Sequence, residues 1–346
     1  MKFTPKHILI CRTDNIGDVV LTLPLAGYLK QRFPDARIGF LCRAYAAPMV
    51  RHCKALDYVV ESDTLKDATK EFAKSDIDTI IFAKPDKALA VAAKKAGIRN
   101  RVGTSHRWFH WITCNRLAHF SRVKSDLHEA QLNFALLKPL GIDYIPPLED
   151  IPALYQLSAP PFHGEPKLDP ARLNVAIHPK SNGNGREWPL AHYTELAKQL
   201  QQHEDIRLWV TGSEREGKLI AELAPELLAQ PNVTNTCGTF TLDELTSFIN
   251  ACDGLIASGT GPMHLSAALG KHTLGLFPPI RPIDPGRWGT LGSKAQVLVK
   301  PTGCGSCNNP ADCACMRNIT PDDVAQVVLG WRAAVFRKDA APSRMQ

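Results

Sequence analysis

The sequence predicts an α/β protein of two doubly wound parallel-sheet domains, and three observations carry that prediction. Its 346 residues suffice for two domains of about 150 residues each. Short, continuous apolar runs of the kind buried in a parallel sheet alternate with helical segments through both halves. Between the halves, from Tyr144 to Pro170, prolines recur without periodicity at 146, 147, 152, 160, 161, 166 and 170. The expected organisation is a first domain over 1–155, a linker over 156–171 and a second domain over 172–318. A terminal helix over 319–337 is expected to pack back on the first domain.

In the first half, His7 to Cys11 reads as a buried strand that empties into the polar turn Arg12 to Asp18. From Asp18 to Arg32 the spacing is helical, and Pro24 either kinks the helix or marks its true start. Asp18 therefore lies at a strand-to-helix junction, where α/β enzymes place ligands. It is read either as a helix N-cap or as a carboxylate serving chemistry. Ala36–Cys42, Asp57–Val60 and Asp78–Ala83 are further strands. Helices are expected over 44–51, 64–74 and 88–96. Arg99 to Trp111 is basic and aromatic: a solvated loop with a docked tryptophan, or a site for an anionic acceptor. A helix opens at His128-Glu129, both read as cleft residues or simply as its first turn, and is stopped by Gly141.

In the second half, Leu173–His178 is a strand, and the loop after it, 179–189, carries glycines, small donors and the cations Lys180 and Arg186. Alone, such a loop is a weak anion-binding signal. Arg207–Gly212 is the next strand, with Ser213 to Gly217 opening a helix, and Thr241 with Glu244 forms a capping pattern. The run Gly254–Ala257 then enters Ser258-Gly259-Thr260-Gly261-Pro262-Met263-His264. This reads as strand end, tight turn and helix start. Glycines permit close approach of the backbone, and the helix N-terminus aims unpaired N–H groups at an anion. Three strand ends thus carry loops suited to a diphosphate. Thr273–Phe277 is a further strand, and Thr320 caps a last helix.

Composition narrows the function. The net charge of +7 favours anionic partners. Lys and Arg are spread along the chain without a nucleic-acid motif, which argues against nucleic acid. No window approaches 18 apolar residues and no secretory signal opens the chain. Six of the ten cysteines stand singly in apolar contexts, as in a reducing compartment, so a cytoplasmic location is expected. The remaining four, Cys304, Cys307, Cys313 and Cys315, form an array read three ways: a metal site, a disulfide or a structural thiol cluster.

Across nearly its whole length the chain resembles the bacterial lipopolysaccharide heptosyltransferases, glycosyltransferase family 9. The resemblance rests on Ile8-Leu9-Ile10, on Ile16-Gly17-Asp18 through Pro24, on Pro34-Asp35-Ala36 and His178-Pro179, on Arg186-Glu187-Trp188-Pro189, on Thr260 through Ala268, and on Leu276-Phe277-Pro278. It implies a GT-B fold, two Rossmann-like domains facing across a cleft. It further implies inverting transfer of a heptose from an ADP-sugar, ADP-heptose in the family, to a lipopolysaccharide-core acceptor, with no cofactor or metal required.

By the same likeness Asp18 is the general base and Arg186 stabilises the leaving diphosphate. Lys180, Ser181, Glu216, Phe240, Ser258, Gly259, Thr260, Gly261, Pro262, Met263 and His264 surround the donor, Glu216 on ribose hydroxyls and Phe240 flanking adenine. Arg12, Asn15, Gly17, Arg99, Arg101 and His128 are the acceptor-binding candidates. Partners implied are a nucleotide sugar and an anionic glycolipid, with peripheral contact at the inner membrane leaflet. One departure stands out: Gly259 occupies the place where the family commonly has aspartate. It leaves open a different nucleotide sugar or glycan acceptor; a non-catalytic nucleotide-sugar-binding protein is the third reading.

Overall fold

Among the described residues twelve short strands, all in parallel ladders, organise the chain. The computed structural model describes residues 3–181, 183, 185–300 and 313–339. Contacts divide the chain into two units, Met1–Ala159 and Pro160–Gln346.

The first unit holds β1 (His7–Cys11), β2 (Arg37–Cys42), β3 (Tyr58–Glu61), β4 (Thr79–Phe82), β5 (Asn100–Thr104) and β6 (Arg116–Ala118), in the order β3-β2-β1-β4-β5-β6. Every residue of β1 and β4 is buried, as befits central strands covered on both faces. On one face Leu9, Leu41, Ile80 and Phe82 pack with Phe72 and Leu89, which come from the helices Ala68–Lys74 and Lys87–Lys95. After β1 the chain forms a short helix, Ile16–Val20, and then Leu23–Arg32, with Pro24 in the opening turn of the second. Proline lacks the N–H that a helix interior needs, so it starts a helix here rather than kinking one.

The second unit repeats the pattern. Its strands are β7 (Leu173–His178), β8 (Ile206–Val210), β9 (Val233–Asn235), β10 (Gly254–Ala257), β11 (His272–Leu276) and β12 (Ala295–Leu298). Their order, β12-β11-β10-β7-β8-β9, is that of the first sheet read from the other edge. The core joins Val175, Ile177, Leu208, Ile256 and Leu274 to Trp188, Tyr193 and Leu196, and to Val324, Val328 and Trp331 of the last helix. That helix, Pro321–Asp339, packs on Leu190–Leu200 of its own unit. Trp331 lies so close to β10 that a Cβ on Gly254 would stand 2.6 Å from its ring, so only glycine fits there.

Four strands escaped the sequence pattern. β5 and β6 lie inside or beside the basic-aromatic stretch, with the helix Trp108–Thr113 between them. β9 and β12 are three and four residues long. Three are edge strands and β5 lies next to one, and none has more than two buried positions to announce it.

Candidate active site

In both units the polar side chains gather where the two central strands end and their connections diverge, the position at which doubly wound sheets bind ligands. In the first unit this is the end of β1 and β4. Arg12 follows β1 and is buried. Its Nε donates to Asp14 Oδ1 at 2.7 Å, its Nη2 donates to Asp18 Oδ1, and its Nη1 reaches Glu129 Oε1 at 3.2 Å and Asn133 Oδ1 at 3.3 Å. Arg122 donates to the same Glu129 oxygen, and to the Ala83 carbonyl just past β4 at 3.1 Å. Asn133 closes the network by donating to the Leu21 carbonyl at 3.0 Å and Thr22 Oγ1 at 3.1 Å. Thr22 Oγ1 in turn donates to the Asp18 carbonyl at 2.8 Å. Two guanidiniums and three carboxylates therefore share one largely buried cluster, each ion holding the next in place.

Asp18 is not the helix cap. Asn15 occupies that position, without a side-chain cap bond, and Asp18 stands in the first turn with its carboxylate on Arg12. Burial raises its pKa above the ordinary carboxylate value; Arg12 works against that rise, and Asp14 adds to it. Gly17 lies beside it in the same turn, and exposed Asn15 precedes it. His128 caps the helix Glu129–Phe134, its Nδ1 accepting from the Ala130 N–H at 3.1 Å. It thereby presents Glu129 and Asn133 to Arg12.

Arg99 and Arg101 are not brought to this cluster. They stand at the start of β5, whose Asn100 pairs with Thr79 at the opposite, N-terminal edge of the sheet. Arg101 is tied to local backbone, donating to the Thr113 carbonyl at 2.7 Å and to that of Ile98. Arg99 lines a separate cavity of about 470 Å³ with Phe3, Asn100 and Arg116. Arg122 and Asn133, in contrast, had no signal in the sequence, and Glu129 had only its place beside His128. They come from segments over a hundred residues beyond β1, and only the tertiary fold joins them to Arg12.

In the second unit the loop after β7 and the turn after β10 meet. Glu187 organises the loop: its carboxylate pairs with Lys180 Nζ and accepts from the Ser181 N–H at 2.7 Å and Oγ at 3.1 Å. Trp188 fixes the loop's end, its backbone N–H donating to Ser258 Oγ at 3.1 Å and its indole to the Ile319 carbonyl at 2.8 Å. Gly259 has φ +48°, and a Cβ on it would stand 3.9 Å from Gly185. Thr260 is the N-cap of the helix Gly261–Ala268, with Pro262, Met263 and His264 buried in its opening turns. Two donors here are buried and have no protein partner, Arg186 Nε and Thr260 Oγ1. An orphaned buried donor costs about 1–3 kcal/mol, so a pair beside a helix N-terminus marks a place built for an acceptor, and an anion suits it.

Of the other donor candidates, Glu216 is engaged in a capping box, accepting from the Ser213 N–H at 2.7 Å and Oγ at 2.8 Å. Phe240 stacks on Phe248 with centroids 4.6 Å apart. His178, buried at the end of β7, holds Thr211 Oγ1 at 2.9 Å through Nδ1, and burial lowers its pKa. Cys304 and Cys307 lie outside the described residues, while Cys313 and Cys315 are buried in the second core. Among the described residues no group of three or more His, Cys, Asp or Glu is placed to hold a metal ion. The single cysteines behave as core hydrophobes, with burial pushing the thiols of Cys53 and Cys114 up to about 11.

Comparison with known proteins gives the family and the fold. Residues 88–314 match the model of glycosyltransferase family 9 (heptosyltransferase). The lipooligosaccharide heptosyltransferase 2 of Campylobacter jejuni is 27% identical over 324 residues, 90% of this chain and 93% of its own. Two solved structures share the fold. A family 9 glycosyltransferase from Veillonella parvula superposes with a TM-score of 0.71 at 18% identity, covering 96% of this chain and 98% of that one. The E. coli ADP-heptose lps heptosyltransferase II does so with 0.69 at 19%, over the same shares. A family match over most of the length, with the GT-B pair of parallel six-stranded sheets, makes this chain a glycosyltransferase that belongs to family 9, the heptosyltransferases.

Proposed function

We propose that the protein transfers a heptose from ADP-heptose to a lipopolysaccharide-core acceptor with inversion, Asp18 acting as general base. The observation that carries this is the pair of orphaned donors, Arg186 Nε and Thr260 Oγ1, beside the helix N-terminus at Gly261. A nucleotide diphosphate supplies the acceptor atoms that this corner lacks. In the reaction, Asp18 takes the proton of the acceptor hydroxyl as its oxygen bonds to the anomeric carbon. The bond from that carbon to the diphosphate breaks, and its electron pair leaves on ADP. Arg186, Thr260 and the N–H groups of the opening turn take up the charge, so no metal is required. A carboxyl whose pKa burial has raised is a stronger base than a solvated one. Names of relatives support the substrates: ADP-heptose in the E. coli enzyme, lipooligosaccharide in the Campylobacter one. The anionic glycolipid acceptor implies peripheral contact with a membrane from the cytoplasmic side.

Gly259 supports a second reading, the same reaction with another nucleotide sugar, because no carboxylate stands there to contact sugar hydroxyls. Thermal shifts with ADP-, GDP- and UDP-sugars separate the two. The proposal expects ADP-sugars to raise the melting temperature most; a larger shift with GDP- or UDP-sugars would sink it.

A further inference from the structure

We infer that the first unit docks on an anionic bilayer surface through the outward face of the helix Trp108–Thr113. This helix is built inside out. His110 faces the sheet, buried, with Nδ1 donating to the Thr104 carbonyl at 3.0 Å and its ring stacked on Phe82. Thr113 is buried with it, and Phe109 packs on the core. At about 100° per residue the remaining three positions form the opposite face. They are Trp108, Trp111 and Ile112, exposed to 66%, 60% and 58%. A soluble helix normally turns polar residues outward, and three large apolar ones side by side mark an interaction surface. The indole N–H of Trp111 already donates to the Ser105 carbonyl at 2.8 Å, so its outward part is hydrocarbon.

Charge identifies the occupant. Lys87 lies over the Trp108 ring, 4.9 Å from its centroid, and Lys94 Nζ donates to the Ile112 carbonyl at 2.7 Å. From Lys87 to Ser125 the sequence has nine Lys and Arg and no Asp or Glu. In the same stretch Val123, between Arg122 and Lys124, is 87% exposed. Tryptophans at headgroup depth with lysines reaching alongside are the composition of an interfacial anchor. A second copy of the chain fits this face poorly, since pairing it with itself sets cations against cations. No helix among the described residues is long and apolar enough to cross a membrane, so the contact is peripheral. This rests on the glycolipid acceptor proposed above, and says which surface of the enzyme meets the lipid.

The test is co-sedimentation of the full-length protein with vesicles free of any glycolipid, so that failure to bind leaves the transfer reaction untouched and loss of transfer leaves binding intact. Vesicles of phosphatidylcholine alone are compared with vesicles carrying phosphatidylglycerol. Each cation near an anionic leaflet strengthens binding roughly fivefold, so partition at least about tenfold higher onto the anionic vesicles is expected, falling as salt is raised. Tryptophan emission should shift to the blue on binding. Trp108→Ser with Trp111→Ser, and separately Lys87→Glu with Lys94→Glu, should each lower partition about tenfold or more with an unchanged melting temperature. Equal affinity for neutral vesicles, no binding at all, or wild-type binding by the tryptophan variant would overturn the inference. So would a dimer in sedimentation velocity that the tryptophan variant converts to monomer.

Discussion

Asp18 and Arg12 set each other's behaviour. Burial raises the pKa of the Asp18 carboxyl and the guanidinium works against that rise, while its bond holds the carboxylate in place. Replacing Asp18 with Ala should lower the transfer rate by roughly 10²–10⁴-fold while ADP affinity stays within a few-fold. Loss of both in the same calorimetric and kinetic assays would assign Asp18 to structure instead. Arg12 lowers the pKa of Asp18, so Arg12→Ala should move the acid limb of the kcat/KM profile to higher pH, the wild-type limb itself lying above the ordinary carboxylate range. A limb that stays put or moves down would contradict the pairing. Asp18 was legible in the sequence because it follows a buried strand and a glycine turn. Asn133 was not, because on its helix it shares burial with the core residues Leu132 and Phe134. Arg99 and Arg101 had the chemistry of acceptor ligands, yet the register of β5 sets them at the other edge.

Elements matter most around β7. The loop that follows it is rigid at its far end because Trp188 is bonded to both Ser258 and Ile319. Trp188→Phe removes the indole bond to the Ile319 carbonyl, leaving it only the bond from His192, and opens a gap, and should cost about 1–3 kcal/mol in denaturant unfolding. His178, at the end of the same strand, gives the pH dependence. Its folded-state pKa lies below the unfolded value near 6.5, so the unfolded chain binds the proton more readily. The stability it contributes is whole above about pH 6.5 and is lost as pH falls from there towards the folded pKa. Melting temperatures between pH 7.5 and about 5.5 should therefore fall less steeply in His178→Gln than in wild type. Central strands announce themselves by unbroken apolar runs. The edge strands β6, β9 and β12, and β5 beside β6, are buried at two positions or fewer, and short half-exposed segments cannot be told from loops by pattern alone.

At the scale of the molecule, the chain builds the same six-stranded order twice, and twice puts its polar residues where the central strands end. Alternating strand and helix patterns made that architecture legible, since a parallel order needs crossover helices and these are long and periodic. The distribution of charge was legible only as a total; its concentration between Lys87 and Ser125 acquires meaning once β5, β6 and the intervening helix are known.

The bonds of Trp188 and the packing of Trp331 also set an order in time. Because the first unit is drawn from residues up to Ala159 alone, it has all its contacts while the rest of the chain is still being synthesised. The second unit is different. Its loop after β7 is anchored by Ile319, and its strand β10 is covered by Trp331, both of which follow β12 in the chain. At about 5–20 residues per second, a nascent chain would carry a finished first unit for many seconds before the loop that carries Arg186 could be anchored. The proposed donor site is thus completed after the first unit, and a chain released before Ile319 would keep the Asp18 network but lack an anchor of the loop that carries Arg186.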